Sequence, residues 1–368
     1  MSMTNFALQS AHEKKVWSTS FWAIARNQSI VSKFTGGEPN SVIQVIKELK
    51  PSVKGSRAVI TLVNDLLGWG IAGDRTLENN GEGLTSQEAV VTFDQLRHEV
   101  QHEGRMAEQK SIINFREEAR DKLGYWMANV VDTLAFLTMS GRSYTVGLDG
   151  APIIGSDLPN LAYASEVVPP SPRRRGRWNA TTQQFEVGGG SNTVTAADTP
   201  TWELLMNMKT YAKAQYMRGV RDGAEEMYHV FLSPEAMLKL KLSNTYMLNL
   251  RHTPQTAENQ KLFTGGTVKI DNLYLHETRY APCTRNATAG NKFGALGTID
   301  GCQIMMVGSQ ALAMADMGSP GWEEKEFDYG NRPGIACGRI FGFKKPQFVP
   351  RAGGSVEDFG VLSAFVAV

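Results

Sequence analysis

An excess of either charge is missing from this 368-residue chain: 38 Lys and Arg stand against 37 Asp and Glu, a formal net charge of +1. A basic sleeve for nucleic acid is thereby excluded, and any contact with a polyanion has to be local. Cysteine is scarce too. Cys283, Cys302 and Cys337 are odd in number and show no CxxC spacing, which argues against a disulfide framework and excludes a zinc knuckle. Reduced, packed thiols are expected. No apolar run approaches the ~18 residues of a membrane helix; Val90-Val91 and Ile304-Met305-Met306-Val307 are strand-sized. The N-terminus lacks the basic start, apolar stretch and small-residue site of a secretory leader, so a cytosolic product is expected. No GxxxxGKS/T phosphate loop and no GxSxG elbow occurs.

What is present reads as globular, with 42% hydrophobic and 20% charged residues. Residues 1–34 carry a weak helical stripe of Val16, Trp17, Ser20, Phe21, Ile24 and Ala25, halted by the turn cluster Thr35 to Asn40. It reads as an arm that packs against something else. Arg57 to Leu67 and Ala89 to Phe93 are β-rich, the second run continuing with weaker alternation toward Val100. A Gly- and acid-rich stretch joins them into a long hairpin, and between Asp74 and Glu103 seven acids face two bases. Isolated two-stranded ribbons are marginal, so this one needs a surface to lie on.

The clearest helix spans Ile112 to Ser140. Ile112, Phe115, Ala119, Leu123, Trp126, Val130, Leu134 and Leu137 step by three or four residues along one stripe. Ser111 and Asn114 are capping signals and Gly141 a stop. The chain then loosens, with Pro169 to Arg177 and Gly188 to Gly190 reading as exposed connections. Asp198-Thr199-Pro200 reads as the cap and first turn of a helix carrying Leu204, Leu205, Met208, Tyr211 and Ala212. Strands at Met227 to Leu232, Leu273 to His276 and Gln303 to Val307 alternate with a helix capped by Ser233-Pro234 and running to Leu242. Residues 150–320 therefore read as mixed α/β around a small sheet. Ile340 to Phe343 and Val361 to Val368 are further strands, and Met305, Met306, Met314 and Met317 read as core filler.

Two clusters invite a chemical reading. His98-Glu99-Val100-Gln101-His102 is a literal HExxH. On a helix its two imidazoles share a zinc ion and the Glu polarises a water. On a strand they stand about 13 Å apart and cannot share an ion. Glu108 occupies the place of a third His, while Glu117 or Glu118 could supply a carboxylate. The β-rich run upstream favours an extended leg without metal. Arg173-Arg174-Arg175 with Arg177 could contact phosphate; a solvated loop or a salt-bridging patch for another subunit is the preferred reading.

A broader pattern spans nearly the whole chain. Leu67-Gly68-Trp69-Gly70-Ile71-Ala72-Gly73-Asp74-Arg75-Thr76-Leu77-Glu78 is followed by Gln95-Leu96-Arg97-His98 and by Arg116-Glu117-Glu118-Ala119-Arg120-Asp121-Lys122-Leu123 with Trp126. Met306-Val307-Gly308-Ser309-Gln310-Ala311-Leu312, Asp328-Tyr329-Gly330-Asn331 and Phe341-Gly342-Phe343-Lys344-Lys345 come after them in order. This set resembles the major capsid proteins of tailed bacteriophages, in particular the phage N-four-like family. Where that family usually shows Leu-Glu-Gly-Asn-Glu-Glu at the hairpin tip, this chain has Leu77-Glu78-Asn79-Asn80-Gly81-Glu82. Asn tolerates left-handed backbone angles in place of the first Gly.

The resemblance implies an α+β chain with the Hong-Kong-97-type tailed-phage capsid fold. Its parts would be an N-terminal arm over 1–52, an extended loop over 53–110, a peripheral domain with its spine helix over 111–150 and 320–368, and an axial domain over 151–319. It implies a structural subunit, no enzyme and without cofactor, that self-assembles through pentamers and hexamers into an icosahedral shell around phage double-stranded DNA. Ring-closing heterologous contacts are what such a shell needs. Trp69, Arg75, Glu78 and Glu82 are the subunit-interface candidates. The acidic ribbon is expected to lie mainly on a neighbouring subunit, with Arg173 to Arg177, Lys344, Lys345 and Arg351 as candidate partners. Other implied partners are a separate scaffolding protein, a portal, optionally a decoration protein, and packaged DNA held non-specifically, with no membrane. The protein is expected in the virion after synthesis in the host bacterial cytoplasm. The mature chain is expected to begin within a few residues of Met1, because only about ten residues precede the arm helix. The alternatives are a zinc metallopeptidase using the HExxH at 98–102, told by metal content, and an encapsulin-type cargo compartment, told by protein cargo without DNA.

Overall fold

The computed structural model describes residues 21, 23–46, 57–63, 66, 68–76, 78, 81–83, 86–110, 114–223, 225–243, 268–318, 321–349 and 354–368. The long helix is Phe115–Ser140. Asn114 caps it by accepting the Arg116 N–H at 3.2 Å. Gly141 ends it at φ 72°, a left-handed angle that glycine adopts without strain. Residues 111–113, where the sequence reading starts the helix, lie outside the described residues. The stripe holds over the first half, with Ala119 and Leu123 buried. From Leu134 to Ser140 every residue is buried, because that end is enclosed by both sheets of the molecule.

The first sheet has six strands. Arg332–Lys344 runs through it, pairing Gly321–Phe327 and Leu312–Asp316 along one edge and Asp94–Gln101 along the other, all antiparallel. Ile43–Ile46 and Thr35–Gly36 add parallel strands beyond Leu312–Asp316. Asp94–Gln101 is therefore a strand of this sheet, where the sequence suggested a continuing hairpin leg. The hairpin proper joins Arg57–Val63 to Ser86–Thr92. Ala58, Ile60, Ala89 and Val91 on its inner face pack on Ala313 and Ala315 of the sheet. Gln87 fixes it further, exchanging hydrogen bonds of 2.8 Å with the backbone of Val349.

The arm reading falls partly on residues 1–20 and 22, outside the described residues. Residues 23–28 are helical, and they pack on the chain's own long helix. Phe21 is buried against the Trp322 ring, 5.7 Å between centroids. Gly124 admits Ile24, whose Cγ2 would stand 3.1 Å from any Cβ at that position.

The second sheet has eight strands. Its order is Val268–Ile270, Leu273–Glu277, Glu225–Leu232, Gly301–Val307, Val361–Ala367, Arg175–Asn179 and Gln184–Val187, with Val220–Asp222 alongside Glu225–Leu232. Strand alternation splits its side chains between two cores. Tyr228, Val230, Met306 and Leu362 pack with Leu204, Leu205, Met208 and Met237 of the helices Trp202–Ala214 and Pro234–Leu242. Phe231, Met305, Val307 and Val361 face the long helix and the first sheet.

Several sequence readings need correction. Val361–Ala367 sits inside this second sheet, away from the strands that share 320–368 with it, because its hydrogen-bond partners are Gly301–Val307 and Arg175–Asn179. Residues 169–177 do not form an exposed connection. Pro172–Arg174 is a short 3-10 turn and Arg175–Asn179 a strand with alternating burial. The helix after Pro200 begins at Trp202, and the Asp198 carboxylate accepts the Ala180 and Thr195 N–H groups instead of capping it. Met305, Met306 and Met314 are buried while Met317 is half-buried. All three cysteines are buried free thiols. Among the described residues no helix is long and apolar enough to cross a membrane.

Candidate assembly surfaces

The hairpin offers the most exposed apolar surface. Because its two strands alternate, the face opposite Ala58 and Ile60 carries Val59 and Val63, both exposed, with Val90 half-buried beside them. Leu66 and Trp69 continue this surface toward the tip, and Trp69 is 103% exposed. Gly70, at φ 76°, turns the backbone just beyond the indole. Arg75 and Glu78 are exposed. Glu82 is half-buried and acts within the tip, its Oε2 accepting the Gly68 N–H at 2.7 Å. Of the four interface candidates, Glu82 thus shapes the loop that presents Trp69. Leu77, Asn79 and Asn80 lie outside the described residues.

Arg173, Arg174, Arg177, Lys344 and Lys345, sought as partners for the acidic ribbon, are engaged within their own chain. Arg173 and Arg174 both reach Glu357, at 3.1 and 3.3 Å. Arg174 is 1% exposed, and burial pulls its guanidinium below its ordinary value while Glu357 opposes that. Arg177 pairs with Glu186 at 2.6 Å, which raises its affinity for the proton, and Lys344 lies 3.6 Å from Glu166. Lys345 and Asp358 form a fully buried pair at 3.0 Å, with the Ser171 N–H and the Gln347 side chain also donating to Asp358. Arg175 lies on the strand Arg175–Asn179. Arg351 lies outside the described residues. The Arg174–Glu357 and Lys345–Asp358 pairs hold one subunit together, because those charges have been taken out of water and need their partners.

The HExxH straddles the end of a strand. His98 belongs to Asp94–Gln101 and stacks on Trp126, 4.6 Å between centroids; His102 lies just beyond and meets Phe115 edge-on at 4.8 Å. Phe115 and Trp126 are eleven residues apart on one helix, roughly 16 Å. The two imidazoles are therefore held too far apart for one ion, and they fasten the edge strand to the long helix. Among the described residues no group of three His, Cys, Asp or Glu could hold a metal.

Two constellations carry no sequence motif. Asp132, buried on the long helix, accepts the Ser29 hydroxyl at 2.6 Å, the Ile30 N–H at 2.8 Å and the Val31 N–H at 3.1 Å. Burial raises its pKa and these donors oppose the rise. His229 and His276, on adjacent parallel strands, place Nδ1 and Nε2 2.9 Å apart. Phe34 of the arm meets both rings edge-on at 5.2 Å. Burial lowers His229 from 6.5 to about 4, and burial together with the neighbouring His229 lowers His276 to about 4 as well.

A long helix clasped between a six-stranded and an eight-stranded sheet, with a hairpin carried off the first, defines the phage-capsid class of Hong-Kong-97-type folds. The capsid of Ralstonia phage GP4 superposes with a TM-score of 0.76 at 26% identity, covering 100% of this chain and 98% of that one. The cyanophage Pam1 capsid gives 0.72 at 16% identity, covering 100% and 96%. The chain belongs to the phage capsid protein family, whose model matches residues 5–368. It is 49% identical over 366 residues to the major capsid protein of Pseudomonas phage KPP25, covering 99% of this chain and 97% of that one.

Proposed function

We propose that this chain is the major subunit of a phage head, building an icosahedral shell from pentamers and hexamers of itself around double-stranded DNA. It is a structural capsid protein and works by association. The observation that carries the association mechanism is the hairpin: one face is fastened to its own sheet, while Val59, Val63, Leu66 and Trp69 face outward. Apolar area in this position is worth about 25 cal/mol per Å² once a neighbour covers it, and an aromatic anchor is the usual centre of such a contact. We assign Trp69 that anchor role, Arg75 and Glu78 the polar rim, and Glu82 the support of the tip. Sheet membership supports an axial unit of residues 151–319, less the first-sheet strand Leu312–Asp316 and joined by 361–367, with the arm over 1–52, the extended loop over 53–110, less Asp94–Gln101, and a peripheral unit around the long helix that takes both of those strands. A separate scaffolding protein, a portal and optionally a decoration protein complete the proposed partners. Packaged DNA is held non-specifically, in keeping with the near-zero net charge.

The test is Glu78→Lys with Glu82→Lys, compared with Glu82→Gln and Trp69→Ala. The charge reversal is expected to impair assembly, seen as loss of particles by light scattering and negative stain, with monomer melting nearly unchanged. Wild-type assembly is expected to weaken with salt, since exposed charges are screened beyond about 8–10 Å. Glu82→Gln keeps an acceptor for Gly68 and is expected to assemble. A double variant that assembles normally at every salt concentration, alongside a normal Trp69→Ala, would refute the role of the tip. Particles containing protein cargo and no DNA would favour the encapsulin-type reading.

A further inference from the structure

Cys283 and Cys302 face each other across an isolated antiparallel bridge. The bridge is flanked by Thr284 N–H to Gly301 O and by Gln303 N–H to Pro282 O, each 2.9 Å. That pattern makes 283 and 302 a non-hydrogen-bonded pair, the position where opposed Cα atoms are about 4.5 Å apart. A disulfide spans Cα separations of about 4.4–6.8 Å. The Cα separation of such a pair meets the bonding requirement with the ladder intact. We propose that Cys283 and Cys302 are an oxidation site, closed by peroxide into a reversible intrachain disulfide.

The surroundings assign the two thiols different parts. Ser233 Oγ donates to Cys302 Sγ at 2.8 Å, and Cys302 in turn hydrogen-bonds to Cys283. The Arg285 guanidinium lies 4.0 Å from Cys283 Sγ. The thiol hydrogen bond, with Arg285 behind it, holds Cys283 below its ordinary value, and the same bond holds Cys302 above it. Cys283, 4% exposed against 0% for Cys302, is also the less enclosed of the two. The Cys283 thiolate attacks one peroxide oxygen; the O–O bond breaks, and the departing hydroxide takes a proton and leaves as water, giving the sulfenic acid. The Cys302 sulfur then attacks the Cys283 sulfur. The S–S bond forms, the S–O bond breaks, and the second oxygen leaves as water with the Cys302 proton. Two electrons pass from the thiol pair to the peroxide. A thiol reductant reverses the bond. The link would fasten the segment after Glu277 to the strand Gly301–Val307. That segment is already tied to the chain that follows the long helix, through Cys283 N–H to Leu148 O at 2.7 Å and Arg142 Nη1 to Cys283 O at 2.8 Å.

Cys337 is the internal control, buried on the other sheet with its thiol pushed up to about 12 by burial. Purified full-length protein is treated with hydrogen peroxide or with dithiothreitol, alkylated during denaturation, digested and mapped by mass. After peroxide a linked peptide holding Cys283 and Cys302 is expected, lighter by two hydrogens, with Cys337 still alkylated and the link removed by dithiothreitol. Cys302→Ser is expected to yield no link and to let Cys283 gain oxygen. Alkylation of both cysteines after peroxide, or separate sulfinic acids in the wild type, would overturn the proposal. The wild-type map decides by itself if the variant fails to fold.

Discussion

Removing the Asp132 carboxylate tests how the arm is held. Ile30 gives the 3-10 turn Val31–Lys33 no side-chain cap, and Ser29 Oγ accepts only the Ser32 N–H, at 3.2 Å; Asp132, far downstream on the long helix, supplies the acceptors for Ser29, Ile30 and Val31. Hydrogen bonds to a charged group contribute about 1.5–3 kcal/mol each. Burial already raises the Asp132 pKa, so the low end applies, and three bonds give about 4.5 kcal/mol. Each step of about 1.4 kcal/mol is a factor of ten. Asp132→Ala is therefore expected to speed amide exchange at Ile30 and Val31 by roughly a thousandfold, while the strand Gly301–Val307 stays protected. Asp132→Asn keeps one oxygen, able to serve Ser29 and Val31, but turns an amide toward the Ile30 N–H. About a tenfold change is expected there. Exchange at Ile30 and Val31 within threefold of wild type in Asp132→Ala would show that burial of Phe21 and Val31 holds the turn without the carboxylate.

The His229–His276 pair makes acid stability predictable. Both rings ionise near 4 in the folded protein and 6.5 is their ordinary value, so the unfolded chain takes up protons first. Stability is full above about 6.5 and falls as pH drops toward 4, by roughly 3 kcal/mol per ring. Urea midpoints of the wild type are expected to fall over this range more steeply than those of His229→Gln with His276→Gln; parallel curves would contradict it. Gly141→Ala places a Cβ at φ 72°, 2.6 Å from Pro169 Cα and against the Val168 carbonyl. A loss of about 2–4 kcal/mol in chemical denaturation is expected, and a loss below about 1 kcal/mol would refute the close approach.

Local signals carried the local elements. Gly141 ends the long helix in both sequence and structure, Asn114 is one of two capping signals and is the observed cap, and Ser233 caps Pro234–Leu242, accepting the Ala236 N–H as its Ser-Pro pair suggests. Non-local pairings left no comparable trace. Asp94–Gln101 finds its partner in Arg332–Lys344, near the other end of the chain, and nothing local distinguishes such a strand from a hairpin leg. Arg174 reads as solvated until Glu357, equally remote in sequence, is placed beside it. Two signals were available. Gly176 and Trp178 alternate with Arg175 and Arg177 at the period of a strand. Asp132 is a lone acid among Ala128, Val131 and Ala135, and a charge on a buried helix face calls for donors from elsewhere. The His229–His276 contact depends on strand register, which no spacing within either segment encodes.

The place of Val361–Ala367 has a consequence for how the subunit is made. Seven strands of the eight-stranded sheet precede it in sequence, yet Arg175–Val187 reaches the rest of that sheet only through it. Ribosomes add about 5–20 residues per second, so the 175–187 ribbon emerges roughly 10–40 s before its neighbour does. Once Gly301–Val307 has also emerged, the growing chain carries two unjoined half-sheets with open edges until 361–367 follows. A chain terminated early never closes them, and the surfaces that a shell would accept are never set in their final relation. Only a chain translated through residue 367 completes the sheet, so a prematurely ended product is expected to lack the joined surface.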